Sequence, residues 1–421
     1  MCIFPVFSVA STWYNKQNNN AIHLFGVSKE ARTDMRRETG HENILTTHDK
    51  LTPIELKKIN LRKVYNYIYD ARLTSKLAIS RALDLSLPTV TQHLGDLVDS
   101  GLVEKRGEYE STGGRKAQMI HCNATAHLAI GIELLKEQVQ IVALDLYGSV
   151  LKEDSLPLQY VNEETYYQQL GTWTNSFVDE LNYPKDNILG VCISIQGLVS
   201  SDGETITFSE ILHCTGTRRE NFQRYIELPC YLIHDTEAAA LAEIWSNSDI
   251  DNAFYLALNR NFGGAMILNS HVLHGRELSG GIIEHMCLSP DGPVCYCGKQ
   301  GCIETYCSAD SLKKSAHMEL PEFFCRVHSG DPRCNKIWRN FLRHLAIAID
   351  NIRMIADFDF ILGGFLIQFM SQSDIDLLTK YVKEQCAFES PSFMFRISQN
   401  GSKSAEIGAA LVLVKQFLES I

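Results

Sequence analysis

His285 and, downstream of it, Cys295, Cys297 and Cys302 carry the strongest chemistry in this 421-residue sequence. One imidazole and three thiolates satisfy a tetrahedral zinc ion, and Gly298 and Gly301 let the backbone fold around it. Four protein ligands leave no open position, so the pattern predicts a structural zinc rather than a catalytic one. Cys287 and Cys307 flank the set, but the His-x9-Cys-x-Cys-x4-Cys spacing favours the other three cysteines. A second group suits contact with duplex DNA: Thr89, Gln92, His93 and Asp96 in one amphipathic stretch, then Arg106, Arg115 and Lys116. Polar side chains of the first kind meet base edges, and cations of the second neutralise phosphates.

Three short helices and a hairpin must position that second group. Leu61, Val64, Tyr65 and Ile68 make one apolar stripe at helical spacing, and Leu77, Ile79, Ala82 and Leu83 suggest a shorter helix after it. A third helix is marked by Ser86 as cap, Pro88 in its first turn and Val90, Leu94, Leu97 and Val98 on one face, with Gly101 as its stop. Strand-like Leu102–Arg106 and Gln118–Ile120 bracket a glycine-bearing basic turn through Arg115 and Lys116. This order predicts a winged helix-turn-helix over residues 51–122, with the third helix in the major groove and the wing on the backbone or minor groove. Residues 1–50 are polar and unpatterned and read as a flexible tail. Charge agrees: residues 1–120 hold 17 Lys or Arg against 13 Asp or Glu, a balance of +4, so that the net charge of −11 leaves −15 for the rest of the chain.

After Cys122 the pattern turns to α/β. Leu128–Glu133, Val139–Leu146 and Ile188–Ile195 are runs rich in branched residues, Glu164–Leu181 is helical, and Leu232-Ile233 leads into the alanine-rich helix Ala238–Trp245. Alternating strands and helices over about 300 residues imply helix-covered sheets in two lobes with a cleft between them. A composition 45% hydrophobic and 21% charged argues against disorder, and no apolar run approaches the ~18 residues of a membrane span. The first ten residues lack the basic start and cleavage pattern of a secretory signal, and the thirteen cysteines are scattered, so the chain is expected in the cytoplasm with most thiols free.

The segment from His285 to Glu304 resembles the zinc signature of the ROK family (repressors, open reading frames, kinases), and the winged helix before it resembles that family's repressors of the Mlc and NagC type. Four further segments resemble family motifs: 190–200 a lobe-one strand and turn, 233–243 the Asp-bearing strand-to-helix junction, 361–365 the late glycine motif, and 405–412 the closing helix. The resemblance, over about residues 56–421, implies an actin-like, ribonuclease-H-like pair of lobes around a sugar and ATP cleft. Lobe one would span 123–235 and lobe two, with the zinc, 236–400, while 401–421 return to lobe one.

The resemblance also implies where the chain departs from a kinase. The family's kinases carry an Asp-x-Gly-Gly-Thr loop and a Gly-Thr-Gly-x-Gly loop whose amides approach phosphate. Here these read Glu133-Leu134-Leu135-Lys136-Glu137 and Asn259-Arg260-Asn261-Phe262-Gly263, so productive ATP binding is not expected. Asp235 matches the base that deprotonates the sugar hydroxyl, Glu304 a carboxylate for sugar hydroxyls, and His285 a ligand that binds zinc through one nitrogen and faces sugar through the other. His234 stands where the family has Asn and Ile282 where it has a sugar-binding Glu, with Glu284 as a substitute. The expected protein is a DNA-binding transcriptional regulator, a repressor of sugar metabolism or transport genes, that reads a palindromic operator as a homodimer or homotetramer and senses a sugar or sugar phosphate. The alternative is a sugar kinase with an accessory head. A transport protein is a further candidate partner, for which Ile407, Leu411, Leu413, Val414 and Phe417 offer a docking stripe, although a stripe of this kind is more often core.

Overall fold

The computed structural model of the chain describes residues 52–108, 118–275, 278, 280–388 and 392–421. They form two compact units, one ending at Ala126 and joined by the last four residues, the other running from His127 to Phe417. The tail 1–50 and the wing tip with Arg115 and Lys116 lie outside the described residues.

In the first unit, α1 (Pro53–Ala71), α2 (Lys76–Leu83) and α3 (Leu87–Asp99) precede an antiparallel pair, β1 (Val103–Glu108) and β2 (Gln118–Cys122). Each helix starts at a side-chain cap. Thr52 and Glu55 form a reciprocal capping box before Pro53, Ser75 Oγ accepts from Ala78 N at 3.3 Å, and Ser86 Oγ accepts from Thr89 N at 3.2 Å. The apolar stripes meet in one core of Val64, Tyr65, Ile68, Ile79, Val90, Leu94 and Leu97, all 2% exposed or less. Asn123 bonds back to the carbonyls of Leu102 and Gly101, which fastens the end of β2 to this unit.

The second unit contains two five-stranded sheets with the same connectivity. Its elements in chain order are β3 (Leu128–Leu134), β4 (Val139–Leu144), β5 (Val150–Leu156), α4 (Glu164–Glu180), β6 (Ile188–Ile195), β7 (Cys230–His234) and α5 (Asp235–Ser246). There follow β8 (Ala253–Leu258), β9 (Phe262–Leu268), β10 (His271–Val272), α6 (Ala309–Ala316), α7 (Leu320–His328), α8 (Pro332–Arg353), β11 (Asp359–Gly363), α9 (Gln372–Gln385), β12 (Phe395–Ile397) and α10 (Ser404–Ser420). The first sheet has the order β5-β4-β3-β6-β7 and the second β10-β9-β8-β11-β12. In each, a three-stranded antiparallel meander is extended by two parallel strands. Parallel pairs need crossover helices, and these cover the sheets.

The C-terminal helix α10 closes on the first sheet at points where only glycine fits. A Cβ on Gly131 of β3 would fall on the Glu406 carbonyl oxygen, and one on Gly408 would fall on the Ala238 carbonyl oxygen of α5. Ile407, Leu411, Leu413 and Val414 are therefore core, at most 9% exposed, and Phe417 packs on His127 with ring centroids 4.6 Å apart. The expected docking stripe for a transport protein is thus not on the surface. Packing on β3 and α5 consumes it.

Candidate functional site

The thiolate cluster is assembled on a loop held at both ends by the body's core. Ile283, at the head of the short turn Ile283–His285, and Ile303, just after Cys302, are 6% and 0% exposed. Between them Leu288 N donates to Gly301 O and Cys295 N to Lys299 O. Gly301 has φ +69, and a Cβ there would strike the Ser289 carbonyl, so the chain can double back only with glycine. The ligand atoms of His285, Cys295, Cys297 and Cys302 all lie within 4.8 Å of one another. Cys297 Sγ is 3.7 Å from Cys302 Sγ, and Cys295 Sγ is 3.7 Å from His285 Nδ1. A tetrahedron with metal–sulfur spokes of about 2.3 Å has edges of about 3.8 Å, so the donor set fits a four-coordinate ion. Cys287 and Cys307 are outside it.

The cleft residues gather beside this cluster. Asp235 opens α5, and its Oδ1 accepts from Thr236 N at 2.8 Å and lies 3.2 Å from His234 Nε2, while His234 Nδ1 is 3.1 Å from Thr236 Oγ1. Glu304 is 6% exposed and already engaged: Oε2 accepts from Phe262 N at 2.6 Å and Oε1 from Asn261 Nδ2 at 3.0 Å. The carboxylate matched to sugar binding therefore also occupies amides of the second kinase-loop counterpart. Burial pushes Glu304 up to about 7 and Glu284, whose Oε2 has no hydrogen-bond partner in the structure, up to about 8. The two kinase-loop counterparts are tied directly, Arg260 Nη2 donating to Glu137 Oε2 at 2.8 Å. The space beneath, lined by Glu133, Asp235, Asn259, Gly364, Gly401 and Ser404, encloses about 10 Å³, room for one water at most.

One pairing at this point has no signal in the sequence. Glu406 of α10 faces Glu133 of β3, and both are more than nine-tenths buried. Burial raises both carboxyls, and their proximity raises Glu133 further; burial raises Asp235 too. A carboxyl whose folded pKa exceeds its unfolded one stabilises the fold fully only below the unfolded value near ~4.3, and that contribution is lost as pH rises through the folded value. The body is therefore expected to lose stability from about pH 4.5 upward through neutrality. Glu406→Gln should raise Tm at pH 8 relative to wild type while changing it little at pH 5. Parallel Tm profiles for the two proteins would refute this.

On the DNA-reading helix the structure redistributes the expected residues. Gln92 is exposed, and so is its neighbour Thr91, which the sequence reading omitted. Thr89 is half-buried with Oγ1 2.8 Å from Ser86 Oγ, and Asp96 pairs with Lys57 at 3.1 Å. His93 is 2% exposed and cannot meet a base edge. It falls with Val90, Leu94 and Leu97 at i, i+3, i+4 and i+7 on the core face. Burial holds its imidazole below the usual histidine pKa, against the pull of Asp96. Arg106 is exposed and pairs with Glu104 at 2.9 Å.

A winged helix-turn-helix joined to a duplicated pair of sheets, with a cleft beside a loop of one histidine and three cysteines, defines a regulator-like version of the sugar-kinase fold. The ROK family model matches residues 129–416 and a winged helix-turn-helix DNA-binding model matches residues 58–104, and the chain belongs to the ROK family. It is 26% identical over 317 residues to the DNA-binding transcriptional dual regulator NagC of Escherichia coli K12, which covers 70% of this chain and 78% of that one. It is 23% identical over 304 residues to the xylose repressor of Bacillus subtilis, covering 70% and 79%. In fold it resembles a ROK family transcriptional regulator homologous to the E. coli Mlc protein, with a TM-score of 0.72 at 21% identity over 86% of this chain and 96% of that one. It also resembles the ROK glucokinase of Streptomyces griseus solved with glucose and AMPPNP, with a TM-score of 0.60 at 20% identity over 68% and 98%.

Proposed function

We propose that this protein is a DNA-binding transcriptional regulator, a repressor of sugar metabolism or transport genes, whose body senses an effector and transfers no phosphate. The observation that carries this reading is the set of contacts that carboxylates of the chain make at the two segments matched to the kinases' phosphate loops. Glu137 neutralises Arg260, and Glu304 takes the Phe262 amide. An incoming triphosphate would have to displace both contacts. The winged head supplies the other half of the reading, with Gln92 and Thr91 toward base edges and Arg106, Arg115 and Lys116 toward phosphates. The relatives' names, an N-acetylglucosamine repressor and a xylose repressor among them, support a sugar-linked effector. His285, Cys295, Cys297 and Cys302 would hold a structural zinc, which would pin the loop between Ile283 and Ile303. A palindromic operator read by a homodimer or homotetramer, in the cytoplasm, completes the proposal, and a protein partner from a transport system would need a surface other than α10.

Salt dependence tests the head. Removing one cation that neutralises a phosphate should flatten the slope of log K against log salt by about 1. Arg115→Ala with Lys116→Ala is therefore expected to weaken binding to all DNA sequences and to reduce that slope by about 2. An unchanged slope would contradict the wing.

A further inference from the structure

Cys287 is the cysteine between His285 and Cys302 that the donor set leaves out, and the fold gives it a partner. The segment doubles back as a short ribbon in which Cys287 stands opposite Cys302 in an antiparallel bridge. The hydrogen bonds at that bridge, Leu288 N to Gly301 O and Ile303 N to Met286 O, belong to the residues on either side of the pair. That pattern defines a non-hydrogen-bonded pair, whose Cα atoms sit about 4.5 Å apart with both side chains on one face of the ribbon. A disulfide needs Cα atoms roughly 4.4–6.8 Å apart, so the backbone already has the spacing. Cys302 Sγ lies 3.8 Å from the His285 carbonyl oxygen, against the strand that carries Cys287.

The two thiols differ in what can reach them. Among the described residues Cys287 and Cys325 are the exposed cysteines, and Cys325 is on α7, outside this loop. Cys302 is fully buried. Cys287 is therefore the sulfur of the loop that a small oxidant in solvent meets directly, and it stays a free thiol when the four donors are ligated. Cys297 is a rival partner, with its Sγ 3.7 Å from Cys302 Sγ. Both of those sulfurs belong to the donor set, however, so neither is free for the first oxidation.

We infer that Cys287 and Cys302 are an oxidation site, a pair that peroxide converts to a disulfide at the expense of the tetrahedral donor set. In the first step the Cys287 sulfur attacks one oxygen of hydrogen peroxide, the O–O bond breaks, and the products are Cys287 sulfenic acid and water. In the second the Cys302 sulfur attacks the sulfenic sulfur, the S–S bond forms and the S–O bond breaks, and the departing hydroxide takes a proton to become a second water. Two thiols give up two electrons and two protons, and one peroxide becomes two waters. His285, Cys295 and Cys297 alone do not close a four-coordinate site, so the loop would lose its grip on a structural ion. The disulfide rests on the bridge geometry, and only the loss of metal rests on the zinc reading above.

Treatment of the full-length protein with hydrogen peroxide, followed by peptide mapping without reduction and by a chromogenic zinc assay, reads the two parts separately. The map should show a Cys287–Cys302 cross-link that dithiothreitol removes, and zinc should be released in step with it. Cys287→Ser keeps all four ligands, so it should bind zinc as the wild type does, form no cross-link, and release zinc roughly tenfold more slowly or less. Absence of the cross-link, or a Cys297–Cys302 link in its place, would overturn the pairing. Release from Cys287→Ser at the wild-type rate would overturn the part Cys287 plays in metal loss. A wild type that carries no zinc would strike the metal reading, while a Cys287–Cys302 cross-link in that protein would still uphold the pair.

Discussion

Cys297→Ser is expected to lose the bound ion and to destabilise the body severely while leaving the winged head folded. Structural zinc sites contribute apparent free energies of ~10–16 kcal/mol in small zinc-binding peptides. Even about 4 kcal/mol of such a contribution would lower the body's Tm by roughly 10 °C. The loop from His285 to Cys302 carries Ile283 and Ile303 into the core of the second sheet, so freeing it exposes apolar surface as well as thiols. Elemental analysis should find one zinc per wild-type chain and almost none in the variant, with Tm lower in step. A variant that keeps its zinc, or a wild type that carries none, would remove the metal from the account.

The converse lesion is expected from Leu94→Ala in the DNA-reading helix. Leu94 is 2% exposed among Val90, Leu97, Ile68 and Tyr65, and truncating a buried Leu costs about 2–5 kcal/mol. A head of about 70 residues has little stability to spare, so most of its population should unfold. DNA binding should fall by at least tenfold at unchanged zinc content. Retained DNA affinity would mean that the helix is not held by this core. The two variants together separate the functions: one removes the metal and spares the head, the other removes the reader and spares the metal.

Local signals made much of this legible in the sequence. The Ser86 cap, Pro88, Gly101 and the Val90, Leu94, Leu97 stripe placed the reading helix at Leu87–Asp99. Four metal-ligating residue types at tight spacing placed the thiolate cluster. The start of α1 is equally legible, since Thr52 and Glu55 around Pro53 form a Thr-x-x-Glu capping box, although the apolar stripe itself begins later. His93 was misplaced because its chemistry suits base contact, although its spacing from Val90 and Leu97 already put it on the buried face.

What stayed hidden depends on contacts between distant segments. Glu137 and Arg260 are 123 positions apart, and only the folded cleft makes them partners. Glu406 looked like one more residue of a closing helix until Gly131 brought α10 against β3 and set it opposite Glu133. The stripe on α10 reads by periodicity as core or, less often, as a docking face, and packing against the first sheet decides for core.

The central claim is that the winged head reads a specific DNA sequence and makes this member of the ROK family a DNA-binding regulator. Selection of DNA from a random-sequence pool by the full-length protein at physiological salt tests it most directly. The account predicts enrichment of one discrete motif, with preference at one base position relaxed in Gln92→Ala. Recovery of unenriched sequence held only by salt-sensitive contacts would contradict it.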